Sequence, residues 1–138
     1  MAINRETLVE WVQHFSAQQI VVVAVPSTPE TEGMVGRQFL AALPDGALVV
    51  NVARGKVVDT QALLAELTAG RLSAALDVVD PEPLSPDHPL WSAPNLLITP
   101  HIGGGAEGWL ERGCALVLDQ ARRLHEGTDL RNQVVHGY

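Results

Sequence analysis

Two largely apolar runs rich in β-branched side chains constrain this chain more than any other feature: residues 20–25 (Ile-Val-Val-Val-Ala-Val), unbroken, and 47–52 (Ala-Leu-Val-Val-Asn-Val), polar only at Asn51. A strand with water on one face alternates in polarity. A continuous apolar run belongs to a strand covered on both faces, in a parallel sheet with helices on both sides. Two weaker runs follow, residues 73–76 and 96–99. The stretches between them read as helices. Residues 35–43 form one, stopped by Pro44-Asp45-Gly46. Asp59 caps a second that carries Leu63, Leu64 and Leu67 and ends at Gly70. Ahead of the first strand, Leu8, Trp11, Val12 and Phe15 recur at helical spacing behind a capping-box pattern that starts at Thr7. After the fourth, residues 106–126 read as a long helix with Leu110, Cys114, Val117, Ala121 and Leu124 on one face, ended by Gly127. Strands alternating with helical crossovers give βαβ units and a parallel α/β sheet. No linker, repeat or low-complexity tract interrupts residues 1–138, so one domain is expected.

Charge narrows the function classes. Sixteen acids against nine bases leave a net charge of −7, with Lys56 the only lysine. Phosphate recognition needs clustered Lys and Arg, so nucleic acid and anionic membranes are poor partners. A single cysteine, Cys114, allows no intrachain disulfide, which suits a reducing compartment. The longest apolar run is too short to cross a bilayer, and Arg5, Glu6 and Glu10 replace the apolar core of a signal peptide. The expected location is cytoplasmic. His14, His88, His125 and His136 show no metal-ligand spacing and read as solvated. Asp80, Asp87, Glu107 and Glu111 read as surface charge. Trp11, Trp91 and Trp109 read as core or interface packing.

Ligands of open parallel sheets bind beyond the carboxyl ends of the strands. Pro26 follows the first strand, Arg54 the second, Asp77 and Glu82 the third, and His101 the fourth. A guanidinium, two carboxylates and an imidazole thus fall on one edge. Arg54 could pair with a surface acid, but its place at a buried strand's end beside Gly55 favours bidentate recognition of a carboxylate or polarised carbonyl. An imidazole in the position of His101 can exchange a proton near neutral pH. A carboxylate on its far nitrogen would orient the ring, and Glu82 lies stiffened between Pro81 and Pro83. Asp77 either accepts from an amide of a bound ligand or caps the turn; the residues leave both open. Gly103-Gly104-Gly105-Ala106-Glu107-Gly108 satisfies Gly-x-Gly-x-x-Gly formally. A dinucleotide fingerprint also needs a following strand that ends in an acid, and a long helix stands there instead. These glycines read as room for a cofactor beside His101 and as backbone N–H groups at a helix start.

Several motifs in one order resemble the D-isomer-specific 2-hydroxyacid dehydrogenase family: Val25-Pro26-Ser-Thr28-Pro-Glu-Thr31, Gly46-Ala-Leu-Val-Val-Asn-Val-Ala-Arg-Gly55, Ala75-Leu-Asp77-Val through Pro81-Glu82-Pro83, His88-Pro-Leu-Trp91, and Pro94-Asn-Leu-Leu-Ile-Thr-Pro-His101-Ile-Gly-Gly104. The resemblance covers nearly the whole chain from Thr7. It implies a partial doubly wound, Rossmann-like parallel sheet with flanking helices and a long C-terminal helix. It also implies an NAD- or NADP-dependent reaction between a D-2-hydroxy acid and a 2-keto acid. Arg54 would grip the substrate carboxylate and carbonyl, His101 would exchange the proton on the substrate oxygen, and Glu82 would raise that histidine's basicity. Asp77 would bond the nicotinamide carboxamide, which decides between its two readings. Backbone around Pro26 and Thr28, at Val52, Ala53 and Arg54, and from His101 through Gly103 and Gly104 would line the cofactor.

The family's substrate-domain segment, glycine fingerprint and ribose selector have no counterpart here, whereas the tail from Leu130 to Tyr138 resembles the family's own end. The expectation is therefore the nicotinamide half of the cofactor domain. Half a doubly wound sheet leaves apolar surface bare, which predicts a homo-oligomer or association with a chain that supplies the missing half. The competing reading is a catalytically inactive remnant that folds and self-associates without binding NAD(P) by itself. A nucleic-acid or corepressor role is disfavoured by charge; a protein-binding role stays open.

Overall fold

The structure, a computed structural model, describes residues 19–133. The helix expected around Leu8 to Phe15 and the last residues of the tail lie outside them. The chain gathers into two compact units, one ending at Ile102 and the other beginning at Gly103.

The first unit is a four-stranded sheet: β1 (Ile20–Val23), β2 (Leu48–Asn51), β3 (Ser73–Leu76) and β4 (Leu96–Ile98). All pairs are parallel and the strands lie side by side in chain order. Two crossovers carry helices, α1 (Arg37–Ala42) and α2 (Thr60–Thr68). The third, from β3 to β4, is a proline-rich loop with one 3₁₀ turn at Pro89–Ser92.

The strand order explains where the core sits. Right-handed crossovers between strands laid down in one direction put every connection on the same face of the sheet. Accordingly Val23, Val49, Asn51, Ala74 and Leu76 are buried together with Phe39 and Leu40 of α1 and Leu63 and Leu67 of α2. The alternate residues are more open, and Ile20 and Val22 are each 59% exposed. The expectation that residues 20–25 are covered on both faces is thus corrected for the described residues. The strand also stops at Val23, short of Pro26.

Local signals in the sequence set the helix ends. Asp59 Oδ1 accepts from the N–H groups of Gln61 and Ala62, each at 3.0 Å, so two donors that a helix start leaves unpaired are satisfied. Gly70 takes the left-handed conformation, φ +69°, that closes α2. Arg71 then ties α2 to the end of α1. Its Nε donates to Glu66 Oε2 at 2.6 Å and its Nη1 to Leu43 O at 2.8 Å, while Nη2 reaches Leu40 O. The last carbonyls of α1 are thereby closed by a cation, the sign the helix dipole favours there.

The second unit contains α3 (Trp109–Glu126), ended by Gly127 at φ +68°. It starts three residues later than the periodicity suggests, because Gly108 stands left-handed at φ +70°. The tail folds back on it: Gln120 exchanges hydrogen bonds with the backbone of Arg131, at 2.6 and 3.0 Å. No residue of α3 is buried, and Leu110, Val117 and Leu124 are among its exposed apolar side chains.

Candidate active site

Register makes the strand ends flush. Val23 pairs with Asn51, Asn51 with Leu76, and Leu76 with Ile98. The ladder runs one step further, with Val52 N donating to Val23 O, Asp77 N to Asn51 O, and Thr99 N to Leu76 O. Pro26, Arg54, Asp77 and His101 therefore leave one edge within a few residues of a common line. Strands lie about 4.8 Å apart, so the roots of the Arg54 and His101 loops are roughly 10 Å apart with Asp77 between them.

The loop that carries Arg54 is held from beneath by Asn51. This side chain is 1% exposed on the covered face of β2. Its Oδ1 accepts from Ala53 N at 3.0 Å and its Nδ2 donates to Arg54 O at 3.1 Å. Gly55 then presses against the next loop: a Cβ there would stand 1.9 Å from Val79 O and 2.7 Å from Asp80 N. Only glycine allows that approach. Arg54 itself is exposed, its Nη1 donating to Ala53 O at 2.6 Å. It forms no ion pair among the described residues, which leaves a permanently charged fork facing solvent.

Asp77 and His101 are joined through the end of β4. Asp77 Oδ1 accepts from Thr99 Oγ1 at 2.6 Å and from Ile102 N at 3.0 Å. Between those donors, His101 N bonds back to Thr99 O at 3.0 Å across Pro100. His101 adopts φ +55°, a left-handed backbone that costs a non-glycine residue about 1–2 kcal/mol. The ring meets Glu82 at 2.7 Å, Nδ1 to Oε1. The sequence offers Glu82, nineteen positions before His101, as the carboxylate for this ring; the third crossover brings the two together. The carboxylate thus holds the ring by Nδ1 and leaves Nε2 as the nitrogen that this pair does not use. Beside it lies an apolar cleft of about 190 Å³ lined by Asp77, Val79, Leu84, Trp91, Ile98 and Thr99 among others.

Other expected residues fall as follows. Thr31 Oγ1 donates to Pro26 O at 2.7 Å and accepts from Thr28 N at 2.8 Å, closing the turn after β1. The Thr28 side chain, by its hydrogen bond, is the main cause holding the Glu30 carboxyl below the usual range. Val52 is exposed at the edge and Ala53 is buried. Gly103 and Gly104 open the second unit and are exposed, and a helix follows them as expected.

Two readings are corrected. His88 is more than a solvated side chain: its Nδ1 accepts from Leu90 N at 3.2 Å and caps the 3₁₀ turn. For Trp91 and Trp109 only the core half of the core-or-interface reading is corrected, since they are 57% and 58% exposed; Trp91 walls the cleft, with its indole N–H on Ser85 O at 2.9 Å. Asn51 and Thr99 were not singled out from sequence. The available signal was a polar residue at an inward-facing strand position for Asn51, and a hydroxyl directly opposite Asp77 for Thr99.

An all-parallel α/β sheet that carries the His101–Glu82 pair and the exposed Arg54 on its carboxyl edge has the architecture of proteins that bind ligands beyond their strand ends. The family profile described as D-isomer specific 2-hydroxyacid dehydrogenase, NAD binding domain, matches residues 2–103, and the chain belongs to that family. It is 37% identical over 129 residues to the D-3-phosphoglycerate dehydrogenase of Archaeoglobus fulgidus, covering 92% of this chain and 24% of that one. Among solved structures, a D-isomer specific 2-hydroxyacid dehydrogenase from Xanthobacter autotrophicus Py2, in complex with NADPH and MES, is 42% identical with a TM-score of 0.81; 91% of this chain and 52% of that one are covered. The holo D-mandelate dehydrogenase of Rhodotorula graminis is 30% identical with a TM-score of 0.82, over 92% of this chain and 37% of that one. The chain thus spans about half, or less, of the length of these relatives.

Proposed function

We propose that this chain forms the nicotinamide-side catalytic half of an NAD- or NADP-dependent D-2-hydroxyacid dehydrogenase that interconverts a 2-keto acid and a D-2-hydroxy acid. The observation that carries the reading is the 2.7 Å His101–Glu82 pair on the strand edge that also presents Arg54. The residues fit one end of a dinucleotide: Asp77, Thr99 and His101 flank a cleft of about 190 Å³, below the roughly 300–1,000 Å³ of pockets that take a whole ligand. Backbone at Pro26 and Thr28 and at Val52 to Arg54 would line the same edge, with Gly103 and Gly104 following His101 in sequence.

A nicotinamide held beside Asp77, Thr99 and His101 would supply hydride to, or take it from, the substrate's second carbon. Arg54 binds the substrate carboxylate and polarises the carbonyl through its fork. In the direction of reduction, His101 Nε2 delivers a proton to the carbonyl oxygen as the alkoxide forms. Glu82 holds the ring by Nδ1 and fixes its orientation toward the substrate oxygen. In the reverse direction the neutral ring accepts the hydroxyl proton. The working assembly is a homo-oligomer or a complex with a chain that completes the cofactor site.

Titration of NADH and NADPH by fluorescence, followed by turnover of a panel of 2-keto acids, tests the reading. Expected are saturable binding and reduction that falls about 10²–10⁴-fold in His101→Gln, with cofactor binding retained. No saturation below millimolar cofactor, by the chain itself or in complex with a chain that completes the cofactor site, would establish the inactive remnant instead.

A further inference from the structure

We infer that Thr99 and Asp77 form a brace whose task is to hold His101 in its left-handed backbone and so aim its ring at Glu82. Thr99 is thereby a positioning residue for proton transfer. The role in catalysis rests on the reading of His101 given above; the geometry of the brace does not.

Four observations carry it. His101 is one of three non-glycine residues with positive φ among those described. It has neither the missing Cβ of glycine nor the short side chain that lets asparagine bond its own backbone. A strained conformer persists only where its surroundings over-determine it. The surroundings here are three hydrogen bonds that bracket this one residue: Thr99 Oγ1 to Asp77 Oδ1 at 2.6 Å, Ile102 N to the same oxygen at 3.0 Å, and His101 N to Thr99 O at 3.0 Å. One carboxylate oxygen just past β3 thus grips the chain on both sides of His101. The hydroxyl and the following amide converge on it, which fixes the direction in which the intervening residue leaves the sheet.

The ring has no comparable support of its own. Its side chain is 44% exposed and that of Glu82 is 39% exposed. The 2.7 Å contact between them therefore depends on where the two backbones stand. Glu82 leaves the loop that β3 feeds, and His101 leaves β4. Asp77 is the residue of β3's end that ties the second of these to the first. A further consequence is that the Asp77 oxygen spent on Thr99 and Ile102 gives this aspartate a structural task alongside any contact it makes with a cofactor.

Nuclear magnetic resonance on the full 138-residue chain tests the brace without turnover. Two signals of His101 are read: the strong intraresidue HN–Hα cross-peak that marks positive φ, and the downfield Hδ1 proton of a ring bonded to a carboxylate. Thr99→Val removes the hydroxyl at nearly constant volume, and Thr99→Ser keeps it. Both signals are expected in the native chain and in Thr99→Ser, and both are expected to be lost in Thr99→Val while the β1–β4 amide signals persist. Asp77→Ala is the second variant, should valine disturb the sheet, and is expected to lose the same two signals. Retention of both signals in Thr99→Val or Asp77→Ala would overturn the brace, as would their absence from a folded Thr99→Ser. A brace that passes while the native chain shows no 2-keto acid reduction would refute the proposed activity and leave this inference standing.

Discussion

Asn51 shows how one buried amide can serve a charged residue that it does not touch through its side chain. Its two bonds satisfy Ala53 N and Arg54 O, the backbone groups on either side of the peptide that introduces Arg54. Removing the amide leaves both groups without that partner and opens a small void. Asn51→Ala is therefore expected to cost about 2–3 kcal/mol in thermal or denaturant unfolding. If Arg54 holds the substrate carboxylate, the same variant raises the KM for the keto acid about tenfold and leaves the Kd for the cofactor nearly unchanged. A KM that does not move would detach Asn51 from substrate recognition. His101 and Glu82 could be proposed from residue type and position alone. Spacing alone does not establish their contact, because eighteen residues, β4 among them, lie between the two and no single periodicity spans them.

At the scale of elements, the ends of the helices carry two further expectations. Arg71 binds the carbonyls of Leu40 and Leu43 and pairs with Glu66, and that hydrogen bond is the first cause raising its already high pKa. The raised value means the cation's contribution is present at every pH below the ordinary arginine range, so it does not vary across neutral pH. Arg71→Ala is expected to lose about 2 kcal/mol of stability, read as a lowered midpoint of chemical unfolding. In α3, the hydrogen bond from Arg123 is the main cause that lowers the Asp119 pKa, and the charges of Arg123, Arg131 and Arg122 add to it while desolvation opposes. A depressed carboxylate stabilises above its unfolded value and loses that contribution as pH falls through the folded one. Circular dichroism should accordingly show the end of α3 loosening only below the usual aspartate range; helix loss near pH 6 would contradict this assignment. Caps at Asp59, Gly70 and Gly127 were legible as residue types. Arg71 was not, since its partners Leu40 and Leu43 stand about thirty positions upstream.

At the scale of the molecule, surface left bare argues for assembly. α3 exposes Trp109, Leu110, Val117, Leu118 and Leu124, and the sheet exposes Ile20, Val22 and Leu97. So many exposed apolar side chains on a single helix are unusual on a protein that functions alone. Light scattering at micromolar concentration should therefore report an oligomer, and Val117→Glu should reduce its mass; a single monomeric species in the native chain would refute association. Residues 20–25 mark how far the sequence reaches at this scale. An unbroken apolar run announces a parallel strand, and β1 is one. It does not say which face is covered, because the run is apolar on both.

What the residues determined by themselves is the local grammar: parallel strands from β-branched runs, helix ends from Asp59, Gly70 and Gly127, and the set of charged groups that follow the strands. These depend on neighbours a few positions away, where spacing in the chain and spacing in the fold coincide. Tertiary structure alone decided that Glu82 meets His101, that Asn51 supports Arg54's loop, that Asp77 grips Thr99 and Ile102, and that one face of the sheet is covered. Each of those follows from register and from the hand of the crossovers, and neither is written in any local window of sequence.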